Sequence, residues 1–186
     1  MDRSVALSNL AALHRGIRRV FRRLLFVAVV WLTISPASAD DPIIGQATVI
    51  DGDTLEIHGQ RIRLNGIDAP ESRQTCERAD GTDYRCGQAA AFALADWIGR
   101  ATVHCEPSGQ DRYKRIIATC FARGDDMGRW MVQQGHALAF RRYSTVYVPD
   151  EIEAQAAGRG IWQGRFVAPW DWRKGERLSP ASAGRH

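Results

Sequence analysis

The sequence predicts a small α+β domain, and three observations lead to that class. Several short segments alternate apolar and polar residues, which is the period-two pattern of half-buried strands. Residues 88–99 instead repeat their apolar side chains at helical spacing. Once a predicted leader is set aside, 186 − 39 = 147 residues remain, a length suited to one domain with an ample core.

The first 39 residues have the pattern of a secretory signal peptide. An apolar run covers residues 24–34, and the small residues Ala37, Ser38 and Ala39 follow it at a cleavage position. The basic region before this run contains Arg15, Arg18, Arg19, Arg22 and Arg23. We therefore expect an exported protein, periplasmic or secreted, with no stable membrane association once processed. An uncleaved N-terminal anchor is the alternative.

Removing the leader changes the charge balance of the chain. The full sequence has 25 Lys and Arg against 21 Asp and Glu, a net charge of +4. The leader contains six arginines and one aspartate, so the processed chain has 25 − 6 = 19 basic and 21 − 1 = 20 acidic residues, or −1. The isoelectric point near 9.1 therefore belongs to the precursor, and any basic surface has to be local.

The β-rich segments occur throughout the processed chain. They cover residues 46–50, 54–58, 60–65, 102–105, 116–121 and 137–140. His58 and Gly59 mark the turn between the second and third segments. Residues 72–85 are polar and aperiodic, and we expect them to form a long loop.

Three helices are expected, the first over residues 88–99 and ended by Gly99. The apolar face predicted for this helix consists of Ala89, Phe92, Ala95 and Ile98. Asp126 is suited to cap a second helix over residues 127–134. The third begins at Pro149 with acidic residues in its first turn and ends at 158–160.

The four cysteines, an even number in an exported chain, predict two disulfides. There is no C-x-x-C pair, which argues against a zinc site. If residues 102–105 pair with 116–121 as antiparallel strands, Cys105 and Cys120 come close enough to bridge. Cys76 and Cys86 would then close the loop over residues 72–85 and reduce its freedom.

The C-terminal region divides into two parts. We expect Trp162, Trp170 and Trp172 to pack against the domain as a cover rather than to stack on bases. Residues 176–186 are rich in Ser, Ala, Pro and Gly and are predicted to be a disordered tail.

The chemistry is concentrated in residues 51–71, DGDTLEIHGQRIRLNGIDAPE. Two acidic turns, one at each end of a hairpin, carry Asp51, Asp53, Asp68 and Glu71, and such turns can converge at the same end of a sheet. Carboxylate oxygens suit calcium or magnesium better than zinc. Arg63 lies between the turns and offers a fork of donors that fits a phosphate. These are the parts needed to hydrolyse a phosphodiester.

Three motifs in this order resemble the staphylococcal (micrococcal) nuclease, or thermonuclease-like, family. They are DGDT, then RLNGIDAPE, then DRYKR at residues 111–115, and the resemblance covers residues 45–162. It implies a five-stranded Greek-key OB-fold β-barrel with about three helices, over residues 40–175. Periodicity alone gives only the α+β class.

The resemblance implies a calcium site. The carboxylates of Asp53 and Asp68 and the backbone carbonyl of Ala69 would bind the metal, and Ala69 stands where the staphylococcal enzyme has a threonine. Asp51 and Thr54 would support the site without binding the ion directly. Such a small ligand set leaves calcium positions for phosphate oxygen and water.

The resemblance also implies the catalytic residues and the reaction. Glu71 matches the general base for the attacking water, and Arg63 and Arg115 match the arginines that hold the phosphate. We expect the protein to be a monomer. The expected activity is calcium-dependent hydrolysis of DNA and RNA with little sequence preference, leaving 3′-phosphate ends.

Further residues match the nucleotide-binding wall of the family. Arg112 and Tyr113 correspond to residues that grip a terminal phosphate, and Lys114 stands where a glycine is usual. Arg141 replaces a tyrosine, and Tyr143 matches a later tyrosine of that wall.

A catalytically silent OB-type nucleic-acid-binding domain is the alternative function. Such a copy of the fold would lack one of the site acids or one of the two arginines. None of these residues is missing from the sequence.

Overall fold

The computed structural model describes residues 41–179. The predicted leader and residues 180–186 of the predicted tail lie outside this range. Within it, no helix is long and apolar enough to cross a membrane.

The described chain contains eleven strands, most of them short. They are β1 Ile43–Gly45, β2 Thr48–Asp51, β3 Thr54–Ile57, β4 Gln60–Leu64, β5 Ile67–Asp68, β6 Cys76–Glu77, β7 Asp83–Tyr84, β8 Val103–Gln110, β9 Ile116–Ala122, β10 Asp125–Asp126 and β11 Leu138–Ala139. The strand predicted over residues 46–50 corresponds to β2, which pairs with β3, whereas β1, which pairs with β8, was not predicted.

Four α-helices and one 3-10 helix accompany the strands in the described range. They are α1 Cys86–Ile98, α2 Met127–Gln133, α3 Val148–Ala156, the 3-10 helix Gly160–Gln163 and α4 Pro169–Trp172. The three predicted helices are confirmed. Helix α4, a single turn that Pro169 initiates, was not predicted.

The main sheet has the strand order β1-β8-β9-β4-β3-β2, with β10 added to β9. Its pairings are antiparallel except that of β4 with β9. Strands β1 and β2 end this path and do not pair with each other within residues 41–179. The α+β class is therefore confirmed, whereas the closed five-stranded barrel is not.

Two small sheets hold the segments around the acidic turns. Strand β5 pairs with β11, so that Asp68 lies opposite Leu138. The region predicted as a plain loop contains the pair β6 and β7, with Cys76 opposite Tyr84. Two-residue strands are too short to show periodicity, which is why the sequence did not predict them.

Helix α1 packs on the sheet through a different face from the one predicted. Its buried residues include Ala90, Leu94 and Ile98, whereas Phe92 is 61% exposed. These buried residues recur in steps of four. A step of three residues drifts by about 60° around an α-helix and a step of four by only about 40°, so the four-residue series stays on one face longer.

The second predicted helix has the expected ends. The Asp126 carboxylate accepts a hydrogen bond from Arg129 N, which caps α2. After α2 the chain turns at Gly135, where φ is +69° and a Cβ would lie 2.1 Å from Arg159 O. A glycine is therefore required there on both counts.

Both predicted disulfides are present, Cys76–Cys86 and Cys105–Cys120. Cys105 and Cys120 lie directly opposite each other in the pairing of β8 with β9. Cys76 and Cys86 belong to a second, smaller core, which Trp162 and Trp170 help to cover. The predicted C-terminal cover is therefore confirmed for these two tryptophans.

Candidate active site

The first acidic turn, between β2 and β3, buries one of its two aspartates. Asp53 is only 4% exposed, and its backbone N–H donates to Asp51 Oδ1 at 3.1 Å. Gly52 fits between them because a Cβ there would lie 2.7 Å from the Cβ of Ala69. The turn therefore packs directly against the second acidic segment.

Arg63 joins the two acidic segments. It lies opposite Thr54 in the pairing of β3 with β4. Its Nη1 donates to Asp53 Oδ1 at 2.7 Å and its Nη2 to Asp68 Oδ1 at 2.8 Å. The convergence of the two turns that the sequence predicted is present.

The second acidic segment is equally buried. Asp68 is fully buried on β5. The backbone N–H of Ala69 donates to Asp53 Oδ2 at 3.1 Å, which ties the two turns together a second time. Two carboxylates are thus held side by side in a region from which solvent is largely excluded.

This arrangement shifts the pKa of Asp53. Burial raises the pKa of this carboxyl to about 7, and the nearby charges of Asp51 and Asp68 act in the same direction, whereas Arg63 opposes them. For Arg63 burial acts to lower the pKa, but the charges of Asp53 and Asp68 outweigh it and the pKa lies above its ordinary value. The two carboxylates therefore stabilise the positive charge of the guanidinium between them.

Arg115 reaches the same carboxylate from the turn between β8 and β9. Its Nη1 donates to Thr54 Oγ1 at 3.2 Å, and this hydroxyl donates to Asp53 Oδ1 at 3.0 Å. The Asp111 carboxylate accepts two hydrogen bonds from Arg115, one from its backbone N–H at 3.0 Å and one from its Nε at 2.8 Å. Burial tends to raise the pKa of Asp111, but these hydrogen bonds hold it below its usual range.

Lys114 keeps the turn that a glycine would form. Its φ is +64°, in the left-handed region that glycine adopts without strain. Its backbone N–H donates to Asp111 O at 3.0 Å and its carbonyl accepts from Gln110 Nε2 at 3.1 Å. The replacement of glycine therefore leaves Arg115 within reach of Thr54.

Glu71 lies at the edge of the site, with a side chain that is 40% exposed. Its backbone N–H donates to Gln74 Oε1 at 3.1 Å, and its carbonyl accepts from Gln74 N at 2.7 Å. Gly87, near the start of α1, packs so closely that a Cβ there would lie 1.8 Å from Glu71 O. The loop and the helix together fix the backbone of Glu71.

Sequence reasoning missed Arg173, which follows α4. Its guanidinium donates to both carboxylate oxygens of Asp68, at 3.0 and 2.6 Å, and to Glu71 Oε1 at 2.6 Å. It lies 105 positions from Asp68 and outside the motifs. Since a lone arginine carries no spacing pattern, only the fold could identify it.

Asp51, Asp53 and Glu71 line a cleft of about 970 Å³, whereas the fully buried Asp68 does not. Of the predicted substrate-binding residues, Arg112, Tyr113 and Tyr143 line this cleft, whereas Lys114 lines a smaller neighbouring pocket. The other described side chains on the cleft include Arg61, Arg142, Phe140, Trp170 and Lys174. Tyr113 and Tyr143 are 65% and 68% exposed, so their rings are accessible.

Arg141 is directed away from the cleft. Its Nη2 lies 2.5 Å from Oε2 of Glu151, a buried residue of α3. Arg142, which the sequence analysis did not select, lines the cleft in its place. The geometry therefore favours Arg142 over Arg141 as the basic residue beside Tyr143.

An aromatic group forms the far side of the cleft. Phe140 stacks on Trp170 with ring centroids 5.6 Å apart, and Tyr143 meets Phe140 edge-on at 5.0 Å. Trp170 therefore packs as predicted and also contributes to the cleft wall.

No group of three or more His, Cys, Asp or Glu side chains in the described chain is arranged to hold a metal ion. The predicted ligand set is smaller, with two carboxylates and one carbonyl. Its oxygen chemistry suits calcium, and Asp53 and Asp68 are held close together by their shared partner Arg63. The residues therefore fit a hard divalent cation.

Comparison with known proteins agrees with the geometry. A family model described as staphylococcal nuclease homologue matches residues 61–164. The succinoglycan biosynthesis protein ExoI of Rhizobium meliloti (strain 1021) is 45% identical over 130 residues, which cover 68% of each chain. An uncharacterized endonuclease of Haemophilus influenzae is 28% identical over 170 residues, covering 86% of this chain and 90% of that protein.

A plant protein is also similar over a shorter range. The probable staphylococcal-like nuclease CAN2 of Oryza sativa subsp. japonica is 32% identical over 120 residues, covering 63% of this chain and 30% of that protein. The family model spans more than half of the chain and includes Arg63, Asp68, Glu71 and Arg115. The chain belongs to the staphylococcal nuclease homologue family.

Proposed function

We propose that this protein is an exported, calcium-dependent nuclease that hydrolyses the phosphodiester bonds of DNA and RNA with little sequence preference, leaving 3′-phosphate ends. Membership of the family supports nuclease activity. The observation that carries the proposal is the convergence of Asp53, Asp68, Arg63 and Arg115 at an open cleft, which all of them line except the buried Asp68.

Calcium would be held by the carboxylates of Asp53 and Asp68 and by the carbonyl of Ala69. Asp51 and Thr54 support Asp53, one through the backbone of the turn and the other through its hydroxyl. A bound calcium would offset negative charge on the phosphate and orient water.

The two arginines would bind the phosphate. Arg63 approaches from β4 and Arg115 from the turn between β8 and β9. Both are linked to Asp53, Arg63 directly and Arg115 through Thr54. Donors that are already oriented cost little reorganisation when negative charge grows on the phosphate in the transition state. Each arginine therefore serves binding and turnover.

Glu71 would accept the proton of the attacking water. Its partly exposed carboxylate lies beside the buried pair, and its backbone is fixed by Gln74 and Gly87. A base must be placed within hydrogen-bond reach of the water it deprotonates, and the fixed backbone favours that placement.

The open cleft suits an extended nucleic acid strand. Arg112, Arg142 and Lys174 supply positive charge along it, and Tyr113 and Tyr143 offer exposed rings for stacking. These contacts address phosphates and ring faces, which all nucleotides share. Little sequence preference follows from that chemistry.

Export and fold belong to the same proposal. Two disulfides are typical of an oxidising compartment, which supports a periplasmic or secreted protein after removal of residues 1–39. Bulges interrupt the β2–β3 and β8–β9 pairings, and bulges bend strands. These bends support a main sheet that curls towards the OB barrel of the family. The proposed domain covers residues 40–175 and acts as a monomer.

The decisive experiment measures cleavage of single-stranded DNA and of RNA by the processed protein, with calcium and with a chelator, at fixed ionic strength. Glu71→Gln should lower kcat by roughly 10²–10⁴-fold with little change in nucleotide affinity, because it removes only the proton acceptor. Glu153→Gln is the matched control, since Glu153 is exposed on α3 and does not line the cleft.

The competing function is a catalytically silent nucleic-acid-binding domain. Binding of DNA without cleavage at millimolar-range calcium would support that alternative. Equal cleavage by Glu71→Gln and wild type would reject the role of Glu71 while leaving nuclease activity in place.

A further inference from the structure

Arg173 makes contacts in the site that the proposed roles do not use. Its Nη1 and Nη2 grip the two oxygens of Asp68, and Nη1 also donates to Glu71 Oε1. One guanidinium thus joins the predicted metal ligand to the predicted base. The family match ends at residue 164, so this arginine comes from a segment beyond it.

Packing of the segment around α4 holds the backbone of Arg173 near the site. The buried Gln74 donates to Val167 O at 2.6 Å, and Trp170 stacks on Phe140. These contacts anchor the chain immediately before and within α4. The position of Arg173 is therefore set by packing, not by chance attraction of a mobile side chain.

The contacts of Arg173 use the oxygens that a metal ion needs. A carboxylate has about four lone-pair positions. Asp68 Oδ1 accepts from both Arg63 and Arg173, and Oδ2 accepts from Arg173. These three hydrogen bonds leave about one lone-pair position free. A divalent cation on the same carboxylate would therefore have little room to bind and would also be repelled by the adjacent positive charge.

We propose that Arg173 is a built-in counter-cation that competes with the metal ion for Asp68 and keeps Glu71 paired until the metal binds. Metal binding then requires the guanidinium to leave both carboxylates. Its side chain is 39% exposed, so it can turn towards solvent while Trp170 and the rest of the segment stay packed.

This inference rests on the proposed metal-dependent function and adds a regulatory step to it. Release of Arg173 frees Glu71 at the same time as the metal is bound. Loading of the metal and availability of the base are therefore coupled, which makes the apparent affinity for calcium lower than Asp53 and Asp68 alone would give. Two ligands that exclude each other weaken each other by the same factor.

The test is calorimetric titration of calcium into the processed protein and its variants, without nucleic acid. Arg173→Gln should bind calcium roughly tenfold more tightly than wild type, within the range usual for coupled sites. Arg73→Gln is the matched control, because it removes the same charge from an exposed residue that stands two positions after Glu71 and does not line the cleft. Its effect should stay below about twofold.

A second measurement guards against loss of folding. Without calcium, Arg173→Gln should melt at a lower temperature than wild type, because Asp68 loses one of its two cationic partners and keeps only Arg63. Calcium should then raise the melting temperature of the variant more than that of wild type. Arg173→Lys keeps the charge but not the two-pronged contact, and its calcium affinity should lie between the two.

Equal or weaker calcium binding by Arg173→Gln would overturn the inference and would make Arg173 a structural or phosphate-binding residue. Absence of calcium binding in every variant would overturn it as well. Failure of the proposed function has a different readout, namely absence of cleavage in the wild-type protein, and tighter binding by Arg173→Gln would support the competition even then.

Discussion

The hydroxyl of Thr54 accepts a hydrogen bond from Arg115 at 3.2 Å and donates one to Asp53 at 3.0 Å. The arginine proposed to bind phosphate and the carboxylate proposed to bind calcium are thus linked through one buried side chain. The link crosses 61 positions of sequence. It means that the orientation of Arg115 depends on both of its neighbours, Thr54 and Asp111.

The first prediction concerns Asp111 as a positioning residue for Arg115. Asp111→Asn keeps an oxygen for the backbone N–H groups of the turn but loses the charged acceptor for Arg115 Nε. Loss of that charged hydrogen bond should cost about 1.5–3 kcal/mol, or roughly 10- to 150-fold in kcat/KM. Steady-state cleavage kinetics measure the effect.

Its control is Asp80→Asn, which alters another turn aspartate that does not line the cleft. The melting temperature of Asp111→Asn should fall as well, because the lowered pKa of Asp111 means that its charged carboxylate stabilises the folded chain. Unchanged kinetics for Asp111→Asn would show that Arg115 is positioned without it.

The second prediction concerns Arg63 as the cation between two buried carboxylates. Arg63→Ala leaves Asp53 and Asp68 without this shared partner. The free energy of unfolding should fall by about 3–5 kcal/mol, because an unpaired buried charge is strongly unfavourable. Urea denaturation without calcium measures this fall.

Arg61→Ala on the same strand is the comparison. Arg61 is exposed, so its removal should change stability by no more than about 0.5 kcal/mol. A similar small change for Arg63→Ala would contradict the bridging role of Arg63.

The third prediction concerns the contact between α1 and the backbone of Glu71. Replacing a glycine inside a helix by alanine usually stabilises it by about 0.5–1 kcal/mol. Gly87→Ala should do the opposite, because its Cβ would lie 1.8 Å from Glu71 O. Both the melting temperature and the cleavage rate should fall.

The neighbouring change Gln88→Ala provides the reference, since Gln88 is exposed on the same helix. It should leave the cleavage rate unchanged. Wild-type activity in Gly87→Ala would mean that the Glu71 loop can shift without cost.

The fourth prediction concerns pH. Burial lowers the pKa of His136 below its ordinary value of 6.5, and its ring packs against Trp130 with centroids 5.7 Å apart. Below pH 6.5 the unfolded chain therefore binds more protons at this residue than the folded chain does. The contribution of His136 to the free energy of unfolding should therefore fall as pH drops from about 7 to about 5, whereas Asp53, whose pKa burial raises to about 7, acts in the opposite direction over this range.

His136→Gln should remove this contribution from the slope of the free energy of unfolding against pH. Because the variant also loses the contact with Trp130, the comparison uses the slopes and not the absolute stabilities. Urea denaturation at several pH values gives the slope for each protein. An identical slope in both would exclude His136 as the source of the acid sensitivity.

The α+β class, the two disulfides and the convergence of the acidic turns could be predicted from the sequence alone. The acidic turns lie at the ends of one hairpin, so local pairing of β3 with β4 is enough to bring Asp53 near Arg63. The helix ends were also predictable, because Asp126 and Gly135 act within a few residues of their own positions. Local interactions leave patterns that a sequence displays.

Tertiary structure decided the features that depend on distant segments. The additional strand β1 follows from its pairing with β8, and the burial of Ala90, Leu94 and Ile98 follows from the sheet beneath α1. The contact of Arg173 with Asp68 joins residues 105 positions apart. No periodicity marks such a contact, because it arises only when packing of the C-terminal segment brings a single side chain to the site.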